Sequence, residues 1–177
     1  EGREPTEAER NGAVLASACL WAYQRTQTTR RSSGKKRLEG LVSDCLVKMG
    51  FEQERPRDVK LLQHAPGVGR FCGECSIGGR RADFVVGLWD GRHSFVECKD
   101  TNSYVNSVKR LNNDTAAKAT HWLKQFGELA VVPVAVISGI FYRHRLQEAQ
   151  EAGLALFWGH GMNEFCRWLR KVKKSTV

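Results

Sequence analysis

RRADFVVGLWDGRHSFVECK, residues 80–99, decides how this chain folds. It holds an acid, Asp83, then an apolar run, a short turn at Asp90-Gly91, and a second apolar run ending in Glu97-Cys98-Lys99. Two apolar runs rich in β-branched and aromatic residues, joined through Asp-Gly, read as an antiparallel hairpin. Side chains alternate across a strand, so loop length decides which residues face each other. With a two-residue loop, Asp83 pairs with Cys98 and Glu97 points to the opposite face. With the three-residue loop Trp89-Asp90-Gly91, and Gly91 left-handed in a bulge, Leu88 pairs with Arg92 and Asp83 lies across from Glu97. We predict the second register. Facing Cβ atoms are then about 4.5–5.5 Å apart, and Phe84, Val86, Val96 and Cys98 fill the other face as core.

In that register two carboxylates and one lysine meet in a small region. Two carboxylates and a main-chain carbonyl, that of Cys98, suit Mg²⁺, which prefers oxygen ligands and keeps several waters. Such a cation polarises a phosphoryl oxygen and lowers the pKa of a bound water. Lys99 follows Glu97 by two residues on the same face, where its ammonium can steady an attacking water or developing charge. The chain carries 28 Lys+Arg against 19 Asp+Glu, a net charge of +9, which favours a polyanionic partner. The excess is clustered: Arg30, Arg31, Lys35, Lys36 and Arg37 form one group, and Arg170, Lys171, Lys173 and Lys174 another.

Outward from the hairpin, Thr6 and Glu9 have capping-box spacing, so a first helix is expected over residues 7–25, followed by a basic loop over 26–34. Leu38, Leu41, Val42, Cys45, Leu46 and Met49 predict a second helix over 35–49, with Gly50 at its end. Glu39 flanks that stripe as a candidate outer-sphere acid. Residues 52–63 are charged and give no clear pattern. Residues 67–77 form a strand, Gly78-Gly79 a turn, and 106–126 a long helix with Val108, Leu111, Thr115, Ala119, Trp122, Leu123 and Phe126 inward. Residues 129–137 are an unbroken apolar, β-branched run, as in a strand covered on both faces. A short helix (146–152), a strand (154–158) and a closing helix (162–172) complete the order. The fold class is α/β (α+β), a mixed central sheet flanked by helices. A length of 177 residues fits one domain, divided into an N-terminal helix and basic loop (1–33) and a catalytic core (35–173).

The constellation Glu39, Asp83 and Glu97-Cys98-Lys99 resembles the PD-(D/E)xK nuclease superfamily, whose pattern is a helix acid, a strand Asp, then Glu-x-Lys on the next strand. Ala82 stands here where the motif's name has Pro. Within that superfamily ECKDTNSYVNSVKRLNNDTAAKATHW, VVPVAVISGIF and LALFWGHGM are similar to type II restriction endonucleases of the XamI kind, a likeness over residues 97–162. The resemblance implies a restriction-endonuclease-like core in which Asp83, Glu97 and the Cys98 carbonyl bind Mg²⁺, with Mn²⁺ as a substitute, while Lys99 assists the nucleophile. It implies hydrolysis of double-stranded DNA to 5′-phosphate ends, a homodimer that cuts both strands, and a bacterial or archaeal cytosol. Asn102, Ser103, Asn106, Lys109, Arg110, Asn112 and Asn113 combine phosphate binders with amides able to read base edges; Lys35 and Lys36 join them as candidate DNA contacts.

Other signals are weaker. Cys72-Gly-Glu-Cys75 is a lone C-x-x-C; zinc would need two more ligands, with His64 and His93 nearest in sequence, and a plain strand or turn is expected instead. Cys19, Cys45 and Cys166 lie in apolar helical patterns, so core cysteines in a reducing cytosol are expected rather than a disulfide framework. His121 and His160 read as packing or surface residues. His144, between Arg143 and Arg145, either touches phosphate or sits in a solvated loop. No apolar run approaches the roughly 20 residues of a membrane span. The chain starts Glu1-Gly2-Arg3-Glu4, no secretory signal, and lacks an initiator Met, as expected of a processed chain or a fragment. Three rival functions remain: a structure-selective nuclease of the junction-resolvase kind, a non-catalytic DNA-binding module, and a zinc-stabilised adaptor built on Cys72 and Cys75.

Overall fold

The structure, a computed structural model, describes residues 3–174, apart from the side chains of Arg31, Val105, Asn106, Lys109 and Arg110. Two compact units are present, Glu1–Gly34 and Lys35–Val177. Helix α1 is assigned over Glu7–Lys48, so its residues up to 34 belong to the first unit and the rest to the second.

In the first unit the capping box forms: Thr6 N–H donates to Glu9 Oε2 at 2.7 Å, and Glu9 N–H to Thr6 Oγ1 at 3.3 Å. The loop expected over residues 26–34 is helical instead. Thr26 and Thr28 turn their hydroxyls back onto the Ala22 and Gln24 carbonyls, at 2.9 and 3.0 Å, so these polar residues are satisfied without leaving the helix. No proline interrupts the stretch, and one interior glycine costs a helix only about 1 kcal/mol.

The second unit is built on a seven-stranded mixed sheet. Its strands are β1 (Glu52–Glu54), β2 (Asp58–Val59), β3 (Arg70–Ile77), β4 (Arg80–Gly87), β5 (His93–Thr101), β6 (Val131–Gly139) and β7 (Ala155–Trp158). The order is β1-β3-β4-β5-β6-β7, with β2 also on β3. The centre, β3 to β5, is an antiparallel meander, whereas β5, β6 and β7 run parallel. Residues 52–64, unreadable in the sequence, supply the two short strands β1 and β2 and a single 3₁₀ turn, Leu62–His64.

Helices cover both faces, as the sequence pattern requires. On one, Leu38, Val42 and Leu46 of α1 and Phe165, Leu169 and Val172 of α5 (Met162–Lys174) pack on Phe84, Val86, Val96, Cys98, Val134 and Val136. On the other, Trp122 of α3 (Ala117–Phe126) packs with Ile77, Val85, Phe95 and Val131, and its indole N–H donates to the Ile77 carbonyl at 3.0 Å. Ala135 and Ile137 pack with Leu111, Ala119 and with Ala149 of α4 (Arg143–Glu151). Strand β6 therefore buries both faces, which is why its sequence shows no alternation.

The long helix expected over 106–126 is broken into α2 (Tyr104–Val108), a π-helical stretch (Lys109–Ala116) and α3. Leu111, Thr115 and Ala119, all fully buried, recur every four residues. That spacing outruns the 3.6-residue turn, and a locally wider helix keeps the three side chains in line.

The expectation of unpaired core cysteines needs correction. Cys45 and Cys166 form a disulfide between α1 and α5, with Cα atoms 6.2 Å apart, and Cys72 and Cys75 form another within β3. Helical periodicity had already pointed Cys45 and Cys166 inward. That both helices cover one face of the sheet, so that residues 121 apart in sequence meet, was not visible in the periodicity. Cys19 and Cys98 are free; Cys98 is buried, whereas Cys19 is exposed rather than in the core.

Candidate active site

The hairpin adopts the three-residue loop. Leu88 N–H donates to the Arg92 carbonyl at 2.8 Å, and Gly91 is left-handed at φ +84°. Pairing runs from Gly87 opposite His93 to Phe84 opposite Val96, and the same count sets Asp83 across from Glu97. The ladder stops at Phe84 and Val96. Just past it, Asp83 Oδ2 accepts the Cys98 N–H at 2.7 Å, so a carboxylate takes the bond that a carbonyl would otherwise make. On β3, Glu74, whose neighbours Gly73 and Cys75 pair with Phe84 and Ala82, has φ +48°, a kink at the level of Asp83.

Asp83 and Glu97 are 8% and 1% exposed. Carboxylates this deep must be paired to remain charged. Glu97 Oε2 accepts from Lys99 Nζ at 2.6 Å and Oε1 from Lys118 Nζ at 2.7 Å, and Lys118 also donates to the Arg81 carbonyl at 2.6 Å. Lys35 Nζ lies 2.8 Å from Asp83 Oδ1 and 3.1 Å from Glu39 Oε1. Glu39 Oε1 is itself buried, against the Lys35 ammonium. Burial works against the charge on Lys35, but the hydrogen bonds to Asp83 and Glu39 and the charges of both outweigh it and hold its pKa above the usual lysine value. The Cys98 thiol is pushed well up, first by burial and then by the charges of Asp83, Glu39 and Glu97, so it stays neutral and unreactive.

The donors suit a hard divalent cation: all are oxygens, and two carboxylates face each other across adjacent strands. Among the described residues no group of three or more His, Cys, Asp or Glu gathers tightly enough to hold a metal alone. An ion here would take two side chains and complete its shell with backbone and water, a habit of Mg²⁺.

The site thus brings together Glu39, Asp83, Glu97 and Lys99, which the sequence had singled out, and adds two lysines. Lys35, read as a phosphate contact, is engaged with Asp83 and Glu39. Lys118, not among the candidates named from the sequence, reaches Glu97. The signal for it was weak: it directly precedes the inward Ala119, and a long side chain at the edge of a buried face can snorkel past it. Of the candidate nucleic-acid contacts, Lys36, Asn102 and Asn113 are exposed and Ser103 is half-buried. The side chains of Asn106, Lys109 and Arg110 lie outside the described residues. The Asn112 amide is spent on Glu148, at 3.0 Å, and so is taken from base reading.

A family model described as XamI restriction endonuclease matches residues 1–158 of this chain. The type II restriction enzyme XamI of Xanthomonas campestris pv. amaranthicola is 48% identical over 132 residues, which make up 75% of this chain and 48% of that protein. The chain spans about half the length of this curated relative. Among solved structures, protein VC1899 from Vibrio cholerae is similar at 15% identity with a TM-score of 0.46, over 76% of this chain and 33% of that one.

Proposed function

Because this chain belongs to the XamI restriction endonuclease family, we propose that it hydrolyses phosphodiester bonds in double-stranded DNA at specific sequences, with Mg²⁺, leaving 5′-phosphate ends. The observation that carries the reading is the pairing of Asp83 with Glu97 at the open end of the β4–β5 ladder, with Lys99 on Glu97.

In this reading Asp83, Glu97 and the Cys98 carbonyl hold the cation, with Mn²⁺ as a substitute. When bound, the cation supplies an electrophile for a phosphoryl oxygen and a more acidic water. Lys99 orients the attacking water and offsets the charge that develops on the phosphoryl oxygens. Glu39 acts from the outer sphere. Lys35 and Lys118 hold the buried carboxylates in place. Lys35, Lys99 and Lys118 match the three carboxylates Glu39, Asp83 and Glu97 in number, so their charges balance. Lys36, Asn102, Ser103, Asn106, Lys109, Arg110 and Asn113 are the proposed DNA contacts. One such site cuts one strand, so the enzyme acts as a homodimer with a two-fold partner on the second strand. It works in a bacterial or archaeal cytosol; among the described residues no helix is long and apolar enough to cross a membrane.

The test is incubation with phage DNA and Mg²⁺, with EDTA and Lys99→Ala controls, then sequencing of the ends. Discrete fragments sharing one end sequence are expected. Diffuse cutting that persists in Lys99→Ala would sink the reading.

A further inference from the structure

Strands β5 and β6 run in parallel register to their last residues: Glu97 opposite Ala135, Lys99 opposite Ile137, and Thr101 opposite Gly139. Gly139 makes this close approach feasible, since a Cβ there would lie 1.7 Å from the Thr101 carbonyl oxygen. The Ile140 N–H then donates to that same carbonyl at 3.2 Å, which carries the register past the end of the sheet. Three residues further along each chain stand Tyr104, the first residue of α2, and Tyr142, the residue capping α4.

Their rings are stacked, with centroids 4.2 Å apart and planes at 22°, and the His144 ring stacks with Tyr142 at 5.4 Å and 30°. The result is a run of three aromatic rings, Tyr104–Tyr142–His144, in contact and yet open to solvent: Tyr104 and Tyr142 are 45% and 43% exposed. Aromatic rings of this size are normally spent in a core. Arg143, between Tyr142 and His144 in sequence, and Asn102, two residues before Tyr104, are exposed as well. The run is also near the chemistry, because Tyr104 follows Lys99 by five residues, at most about 17 Å of extended chain. That is about five base-pair steps at 3.4 Å each.

We propose that the outer face of Tyr104, on a stack backed by Tyr142 and His144, receives a nucleobase unstacked from the DNA within about five base-pair steps of the scissile phosphate, with Arg143 holding an adjoining phosphate. It rests on the nuclease reading above and adds to it a contact with a base face rather than with backbone. Every base offers a π-face, so this contact is indifferent to salt and tolerant of sequence, unlike lysine–phosphate contacts.

The experiment uses the full chain in Ca²⁺, without cleavage, and two probes: a fluorescein-labelled random-sequence duplex for anisotropy, and an oligonucleotide series carrying 5-iododeoxyuridine, which photo-cross-links to stacked rings. Tyr104→Ala, which removes the receiving ring, is expected to weaken binding roughly five- to 150-fold with an unchanged salt slope, and Tyr142→Ala, which removes its backing, to weaken it less. Tyr104→Phe, which keeps the ring, retains wild-type affinity, and the cross-link maps to Tyr104. Arg143→Ala weakens binding and flattens the salt slope. The proposal is overturned if both alanine variants bind as wild type does, or if the cross-link falls elsewhere, while Lys99-dependent cleavage persists. A wild-type chain that binds no DNA at all would instead overturn the nuclease reading and this one with it.

Discussion

The two ends of the β4–β5 hairpin use similar groups to opposite effect. At the closed end, Asp90 accepts from the Arg92 backbone at 3.1 Å and from its guanidinium at 2.7 Å, on a turn that water reaches. At the open end, Asp83 and Glu97 meet lysines in a region from which water is largely excluded. An exposed pair is worth roughly 0–1 kcal/mol. Breaking a buried one by removing a partner costs about 3–5 kcal/mol, because a charge is stranded. The closed end therefore fixes geometry and the open end stores reactive charge. The first sets the second, because loop length determines whether the two carboxylates share a face.

The hardest blow to that comparison is deletion of Gly91. A two-residue loop turns Glu97 into the α1–α5 core, and the loss should exceed about 4 kcal/mol, read by urea unfolding; wild-type stability in this variant would show that the turn does not set the site. Next is Lys99→Ala, expected to slow cleavage by roughly 10²–10³ while DNA affinity in Ca²⁺ is kept. Binding lost in proportion to cleavage would remove Lys99 from the chemistry. Lys118→Met takes one of two donors from Glu97 and should cost about 1.5–3 kcal/mol in the same unfolding assay, and a neutral result would place Lys118 outside the charge balance of the site. The mildest is Asp90→Ala, expected within about 0–1 kcal/mol. A cost equal to that of Lys118→Met would erase the distinction between the two ends.

Other elements show where reading from sequence succeeds and fails. The α5 helix carries a single apolar stripe, and Phe165, Leu169 and Val172 are buried as their spacing requires. Residues 13–23 are apolar on all sides of their helix, and Val14, Leu15, Leu20, Trp21 and Tyr23 are all exposed. Periodicity identifies a buried face only where polar residues mark the other. The basic stretch at 26–34 has the polarity of a loop and is nonetheless helical, because its threonines bond back along the helix.

The sequence alone determined the strand that carries Asp83, the strand that carries Glu97 and Lys99, and the glycine that sets their register. These are local matters of alternation and turn chemistry, decided within 20 residues. Which cations neutralise those acids depends on the packing of the helices on the sheet. Lys35 comes from α1 and Lys118 from α3, and their reach depends on how each helix lies on the sheet, which no nearby spacing encodes. The same holds for the Cys45–Cys166 bridge and for the stacking of Tyr104 on Tyr142, each made by segments that are distant along the chain and adjacent only once the sheet has formed.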